Sequence, residues 1–381
     1  MKFFHLSDLH IGLKLLGKDL QEDQTYIFEQ IAACARKEQP DAILIAGDIY
    51  DKAVPSAEAV ELFDRLICML KEAAPETELM MISGNHDSAA RLNVFRDVLG
   101  KQKIHMIGQP PQLPGEQIEK VTLEDSWGPV VFYLLPFVKP SMVKNILGTD
   151  ENGNNLSYNE TLHRLIGAEL LDDSVRNVLV SHQFYVPGGL APEEVERADS
   201  EIRTVGNIDE VQAGILQRFD YAALGHIHRP MMAGDEFHRY CGTPIPCSVS
   251  EAGQKKGIVM VELGPKGDRK TTVLPLHPLH EVRVVKGAAQ EVLAEACTDY
   301  VTVVLTDTGE EALSDLQDMI HAAFPNLLEI RREMPGRAEL QESAQEAAPD
   351  PFELCCSFYP GMDETEQQVI RDVINHIKEG C

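Results

Sequence analysis

The chain has 381 residues, too many for one ordinary hydrophobic core and enough for roughly two folded units and a tail. With 34 Lys and Arg against 61 Asp and Glu its formal net charge is −27, which repels bare DNA and anionic lipid unless divalent cations or a basic partner bridge the contact. The eight cysteines show no CxxC and no regular spacing, which argues against a disulfide framework and for reduced thiols inside a cell.

Nothing reads as a signal peptide or a membrane span, because Met1-Lys2-Phe3-Phe4-His5-Leu6 meets charge at Asp8; a cytoplasmic location without membrane contact is expected. Residues 2–6 form a short apolar strand that runs into Ser7-Asp8-Leu9-His10. On an extended strand end, Asp8 and His10 should point the same way and could grip one ion. The ordinary alternative is a surface aspartate and a hydrogen-bonded histidine, since so short a motif arises easily by chance. Ile27, Ile31, Ala32, Cys34 and Ala35 recur at helical spacing over 22–37. Next, Ile43-Leu44-Ile45-Ala46-Gly47, introduced by Gln39-Pro40-Asp41, reads as a strand buried on both faces, and it delivers Asp48 to a dry strand end. An unpaired anion there would cost several kcal/mol, so a cation must meet it, and a metal ion is the expected one. Ser56 should cap a helix reaching Ala73 through Val60, Leu62, Phe63, Leu66 and Leu70, before a strand over 78–83 that ends in Gly84-Asn85-His86-Asp87. Three successive strands thus finish in Asp-x-His, Gly-Asp and Gly-Asn-His-Asp, at the carboxyl edge where open α/β sheets place their sites.

A helix over 89–99 is expected next, then β-structure of a second sheet over 103–137 with its clearest strand at 130–135, a polar loop over 149–157 and a helix over 160–171. The buried strand 177–181 runs into His182, and the strand 221–224 runs into Gly225-His226-Ile227-His228, where the two-residue spacing of Asp8 and His10 recurs. A single histidine at a strand end is more often a packing residue than a ligand. Yet His10, His86, His182, His226 and His228 all follow buried strands, whereas His105, His163, His238, His277, His280, His321 and His376 do not and receive no role. Residues 258–263 and 271–274 should pair across Gly264-Pro265-Lys266-Gly267 as a hairpin closing the second sheet. From Glu281 the order is strand 282–285, helix 288–296, strand 300–305, helix 310–323 and strand 327–331, a small α/β unit. Residues 336–350 read as a linker. In 351–381, Phe352, Leu354 or Cys355, and Phe358 or Tyr359 form a short apolar face, and a helix opening at Asp363 carries Val369, Ile370, Val373, Ile374 and Ile377.

The order Asp8-x-His10, Gly47-Asp48, Gly84-Asn85-His86-Asp87, His182 and Gly225-His226-x-His228 resembles the calcineurin-like metallophosphoesterase superfamily. Ser181-His182-Gln183-Phe184, the run from Phe219 to Pro230, and Tyr240-Cys241-Gly242-Thr243-Pro244-Ile245-Pro246 followed by Ser250-Glu251-Ala252-Gly253 narrow the likeness to the SbcD family of double-strand-break repair nucleases. The resemblance implies a four-layer α/β/β/α sandwich over 1–278, a small α/β capping domain over 279–335, the linker, and a C-terminal helical segment over 351–381 that docks on an SbcC-type coiled-coil ATPase. It implies two divalent ions, one held by Asp8, His10, Asp48 and His228 and the other by Asp48, Asn85, His182 and His226, with Asp48 bridging. Mixed N/O ligation without thiolate favours Mn²⁺. His86 is implied as the metal-free catalytic residue, with Asp51 where related phosphatases carry its aspartate partner, and Asp87 as a loop brace. Gly84 and Gly225 are expected where the backbone turns tightly. The implied activity is cleavage of DNA ends and hairpins in repair, recombination and replication, by a homodimer joined through helices 56–73 and 89–99 and their Leu62, Leu66, Met69, Leu92, Phe95 and Val98. Two other readings compete. One is a small-molecule or protein phosphoesterase of the same superfamily, opposed by the cap, the tail and the lack of Arg-Gly after Asp51. The other is a non-catalytic scaffold for an ATPase, opposed by the complete ligand set.

Overall fold

Side-chain alternation along Ala42–Ala46 shows how the molecule is layered. Ile43 and Ile45 pack with Ile27, Ile31, Leu62 and Leu66 from the helices Gln21–Glu38 and Ala57–Ala73, while Ala42, Leu44 and Ala46 meet Phe132, Val178, Val180 and Ala223 of a second sheet. Successive residues of a strand face opposite sides, so a strand covered on both needs an apolar residue at every position. The computed structural model describes residues 1–195, 197–201, 209–306 and 313–333, and from the tail residues 352, 355, 359, 362, 363, 365–370, 373 and 374.

The first sheet has the order Arg269–Pro275, Gly257–Leu263, Lys2–Leu6, Ala42–Ala46, Glu78–Ile82, Ile104–Ile107. Its four strands from Lys2–Leu6 to Ile104–Ile107 are parallel neighbours, so their carboxyl ends share one edge. The second sheet runs Met231–Met232, His238–Tyr240, Tyr221–Gly225, Arg176–His182, Gly128–Leu135, Glu119–Asp125. Its outer face packs on the helix Tyr158–Gly167 through Leu162, Leu165 and Ile166, which completes four layers, helix, sheet, sheet, helix. Ser56 caps its helix by accepting from Ala59 N at 3.3 Å.

Three expectations need correction. The hairpin of Gly257–Leu263 and Arg269–Pro275 extends the first sheet, pairing antiparallel with Lys2–Leu6; apolar alternation alone does not say which sheet an edge strand joins. Ile104–Ile107 also belongs to the first sheet, parallel to Glu78–Ile82. The single helix expected over 89–99 is two short ones, Ala89–Leu92 and Arg96–Gly100, because Phe95 sits in the left-handed region at φ 62° and interrupts the helical hydrogen bonds.

The small unit is a parallel sheet in the order Val282–Gly287, Tyr300–Leu305, Leu327–Arg332, flanked by the helices Ala289–Ala294 and Leu313–Ala323 around a core of Val285, Val292, Val301, Val303, Ile320 and Phe324. It is tied to the first helix by buried Asp23, which accepts from Tyr300 Oη at 2.8 Å and from the His280 amide at 3.1 Å. The expected linker at 336–350 lies outside the described residues, as does most of the expected tail.

Candidate metal centre

The strands of both sheets end facing one another, and their last residues leave extended geometry at once. Asp8, His10 and Asp48 have φ of 53°, 42° and 48°, and His226 has φ of 99°. Asp8 and His10 therefore do not share a direction through strand alternation, as the sequence suggested. Instead, Asp8 N donates to Gly47 O and His10 N to Asp48 O, each at 3.0 Å, and these bonds hold the first two strand ends together in a conformation that costs on the order of 1–3 kcal/mol per residue. Gly84 and Gly225 are needed for close approach and not for turning. A Cβ on Gly84 would lie 2.0 Å from Asp48 Oδ1, and one on Gly225 would lie 1.9 Å from Ala46 O.

One oxygen of each aspartate is fixed by the main chain. Asp48 Oδ1 accepts from His86 N at 2.9 Å, and Asp8 Oδ1 accepts from His226 N at 3.0 Å. Asp48 Oδ2 then faces imidazoles from both sheets, with His182 Nε2 at 3.3 Å, His10 Nε2 at 3.8 Å and His86 Nε2 at 4.0 Å. Asn85 Oδ1 lies 3.0 Å from His182 Nε2 and 2.9 Å from His226 Nδ1. His10 Nε2 and His228 Nε2 face each other at 3.0 Å.

Main-chain carbonyls orient two of the rings. His182 Nδ1 donates to Ala46 O at 2.7 Å and His86 Nδ1 to Asp51 O at 2.9 Å, which turns Nε2 of each ring toward Asp48. The Asp51 contact with His86 is thus through its carbonyl and not its carboxylate. His226 differs, with Arg197 Nη2 3.2 Å from its Nε2 and Asn85 Oδ1 2.9 Å from its Nδ1. Asp87 braces the loop, its carboxylate accepting from Ile49 N at 3.0 Å, Tyr50 N at 2.9 Å and Gly84 N at 2.9 Å.

Burial acts on Asp8, Asp48, His182, His10 and His226. It pushes the Asp8 carboxyl up to about 6, against the pull of His182 and His228. It would raise Asp48 as well, but His182, His86 and His10 outweigh it and hold Asp48 well below the usual carboxylate range. His182 is raised to about 9, because Asp48 overcomes the cost of burying its charge. Burial, then the neighbouring His228 and His182 respectively, push His10 and His226 well below the ordinary imidazole value, which leaves both neutral, the form that ligates metal.

These residues fit a cation. His10 Nδ1 is buried without a hydrogen-bond partner among the described residues, and ligand atoms of Asp8, Asp48 and His182 lie within 4.8 Å of one another, as do those of His10, Asp48 and His86. A third group of the same compactness joins His10 and His228 to Cys247, so a thiol borders a set expected to hold none. The sequence reading also missed Arg197, Ser200, Glu201 and Glu251, which surround His226 and His228. Arg197, Ser200 and Glu201 follow no strand ending, and Glu251 was visible only as part of a motif.

Residues 1–230 match the family model described as calcineurin-like phosphoesterase, and residues 278–359 match the one described as type 5 capsule protein repressor C-terminal domain. A Staphylococcus epidermidis protein, named as the D component of the nuclease SbcCD, is 30% identical over 385 residues, which covers 99% of this chain and 98% of that one. Two solved structures are more distant. A Thermus thermophilus protein is 11% identical with a TM-score of 0.39, covering 71% of this chain and 98% of its own. A dimetal phosphatase from Danio rerio is 14% identical with a TM-score of 0.40, covering 72% and 98%. At such scores neither bears on chemistry. The family match over residues 1–230, and a relative aligned along nearly the whole length, show that the chain belongs to the calcineurin-like phosphoesterase family, as an SbcD-type subunit.

Proposed function

We propose that the chain is the nuclease subunit of an SbcCD-type complex, a two-metal phosphodiesterase that cleaves DNA ends and hairpins in repair and recombination. The observation that carries this reading is the placement of Asp48, whose Oδ2 faces His182 of one sheet and His10 of the other within 3.8 Å. Asp8, His10, Asp48 and His228 would hold one ion, and Asp48, Asn85, His182 and His226 the second. Bound divalent ions would supply the Lewis acidity and activated nucleophile that phosphodiester hydrolysis needs, and would give an acidic chain its local attraction for phosphate. Oxygen and imidazole donors dominate the set, which supports Mn²⁺. His86, held by the Asp51 carbonyl with Nε2 toward the centre, is assigned to stabilise the phosphate or protonate the leaving oxygen.

Residues 1–278 would form the nuclease domain, 279–335 the cap and 351–381 the segment that docks on the SbcC-type ATPase. Homodimerisation would use Phe95 and Val98, 73% and 60% exposed, with Val94 beside them, since Leu62, Leu66 and Leu92, expected on that face, are buried in the protein's own core. No helix of the described residues is long and apolar enough to cross a membrane, and a cytoplasmic location is proposed. Purified protein with Mn²⁺ should cleave single-stranded DNA and hairpins; turnover of a generic phosphomonoester with no DNA cleavage would overturn the reading. Truncation after Gly336 should keep that cleavage and abolish binding of the ATPase. A monomeric mass by light scattering at tens of micromolar would remove the dimer.

A further inference from the structure

Behind His228 lies a buried carboxylate with more donors than a structural ion pair needs. Glu251 is fully buried. Its Oε2 accepts from Lys256 Nζ at 2.6 Å and Thr243 Oγ1 at 2.9 Å, and its Oε1 accepts from Cys247 N at 3.1 Å, Ser248 Oγ at 3.2 Å and Ser200 Oγ at 3.2 Å. Ser200 Oγ in turn lies 2.8 Å from His228 Nδ1, and Glu251 Oε1 itself is 3.4 Å from that nitrogen. Lys256 also donates to His228 O at 3.0 Å, so the same pair grips both the main chain and the ring of this residue.

The donor and acceptor roles in this chain run one way. Lys256 and the Cys247 amide can only donate, so Glu251 must accept. Ser200 therefore gives its proton to Glu251 and has only lone pairs left for His228. His228 Nδ1 must then carry its hydrogen, and Nε2 is left bare, facing His10 Nε2.

We propose that Glu251, acting through Ser200, is a positioning residue for the first ion: it fixes the His228 tautomer and ring orientation so that Nε2 is presented as a ligand before any ion arrives. This rests on the two-ion reading above. Partners of this kind behind a ligating histidine typically change metal affinity by about 10- to 100-fold. The alternative is that Glu251 only anchors the 241–256 segment.

The test is calorimetric titration of the full chain with Mn²⁺ alone, together with thermal unfolding of the metal-free protein. Glu251→Gln leaves Lys256 buried opposite a neutral group and could fail to fold, so Ser200→Ala, which keeps the Glu251–Lys256 pair, is the second variant. Ser200→Ala should weaken one of the two ions by about 10- to 100-fold, leave the other near its wild-type affinity and leave metal-free unfolding unchanged, and Ser200→Thr should restore it. If wild type binds two ions and Ser200→Ala binds both equally well, this inference is overturned while the metal centre stands. If both ions weaken together with metal-free stability, Glu251 is an anchor and the inference is again overturned. A wild-type chain that binds no second ion overturns the two-ion reading and this inference with it.

Discussion

The seam between the two sheets is polar at both ends, yet only one end is suited to a ligand. At the far end, Arg176 Nη1 donates to Asp125 Oδ2 at 2.9 Å, Leu263 O at 3.2 Å and Gly264 O at 3.0 Å, and Nη2 reaches Asp125 Oδ1 at 2.6 Å. The Met1 amino group joins them, 2.5 Å from Asp125 Oδ2 and 3.0 Å from Leu263 O. Each charge there has an opposite charge or a carbonyl from the chain itself. At the other end carboxylate, amide and imidazole side chains converge, with two ring nitrogens facing each other and His10 Nδ1 without a partner among the described residues. Burial of polar groups is therefore not the signal of a site. The signal is a cluster of ligand-type side chains that holds a buried polar atom with no partner among the described residues.

That contrast breaks most completely at Asp48, the carboxylate common to both expected ion positions. Asp48→Ala should abolish binding of both ions and DNA cleavage together, and metal analysis showing two ions retained per chain would contradict the bridging role. The next effect sharpens the division between holding ions and using them. His86→Ala should keep both ions and the fold while cleavage falls by about 10² to 10⁴, the usual contribution of a general acid or base. Asp51→Asn should cost far less, since the Asp51 carbonyl that holds His86 is retained. Near-normal cleavage by the His86 variant would take His86 out of the mechanism.

What could be read from the sequence follows the same division. Strand endings were legible because dry strands announce themselves by composition, and residues placed at their ends are few and polar. Asp8, Asp48, His182 and His226 were placed at strand ends in this way. Their geometry was not legible, because the φ of Asp8 and His10 is set by hydrogen bonds to a neighbouring loop and not by local sequence. Nor was the sheet to which Gly257–Leu263 belongs, since an apolar strand suits either face of the sandwich. Arg197, Ser200 and Glu251 matter through contacts with residues 23 to 51 positions away, for which spacing along the chain offers no pattern.

At the mouth of the seam, Gly225 keeps the sheets close enough to share ligands. A methyl group there would stand 1.9 Å from Ala46 O and 2.7 Å from His182 Nδ1, displacing the bond that orients the His182 ring. Backbone cannot yield as a side chain can, so Gly225→Ala should destabilise by about 3 kcal/mol, the upper end for overpacking, and weaken the ion held by His182 and His226. Denaturation and Mn²⁺ titration measure the two effects. Unchanged values for both would mean that the strands part easily at this point.

The far end should show the smallest effect and a different one, lost stability with no change in ion binding. Asp125→Asn removes the charge that Arg176 and Met1 share and should cost about 2 kcal/mol at neutral pH, as hydrogen bonds to charged groups do. Its pH dependence has a definite sign. The Arg176 contact, outweighing burial and aided by the amino terminus, holds the Asp125 carboxyl far below its ordinary value of about 3.9. A depressed carboxyl contributes stability that is fully present above its unfolded pKa and is lost as pH falls toward the folded one. The gap between wild type and Asp125→Asn should therefore be constant near neutrality and shrink as pH falls below about 4. Chemical denaturation at a series of pH values, with Mn²⁺ stoichiometry measured alongside, checks both halves. A gap that widens on acidification, or an ion lost from the variant, would show that the two ends of the seam are coupled.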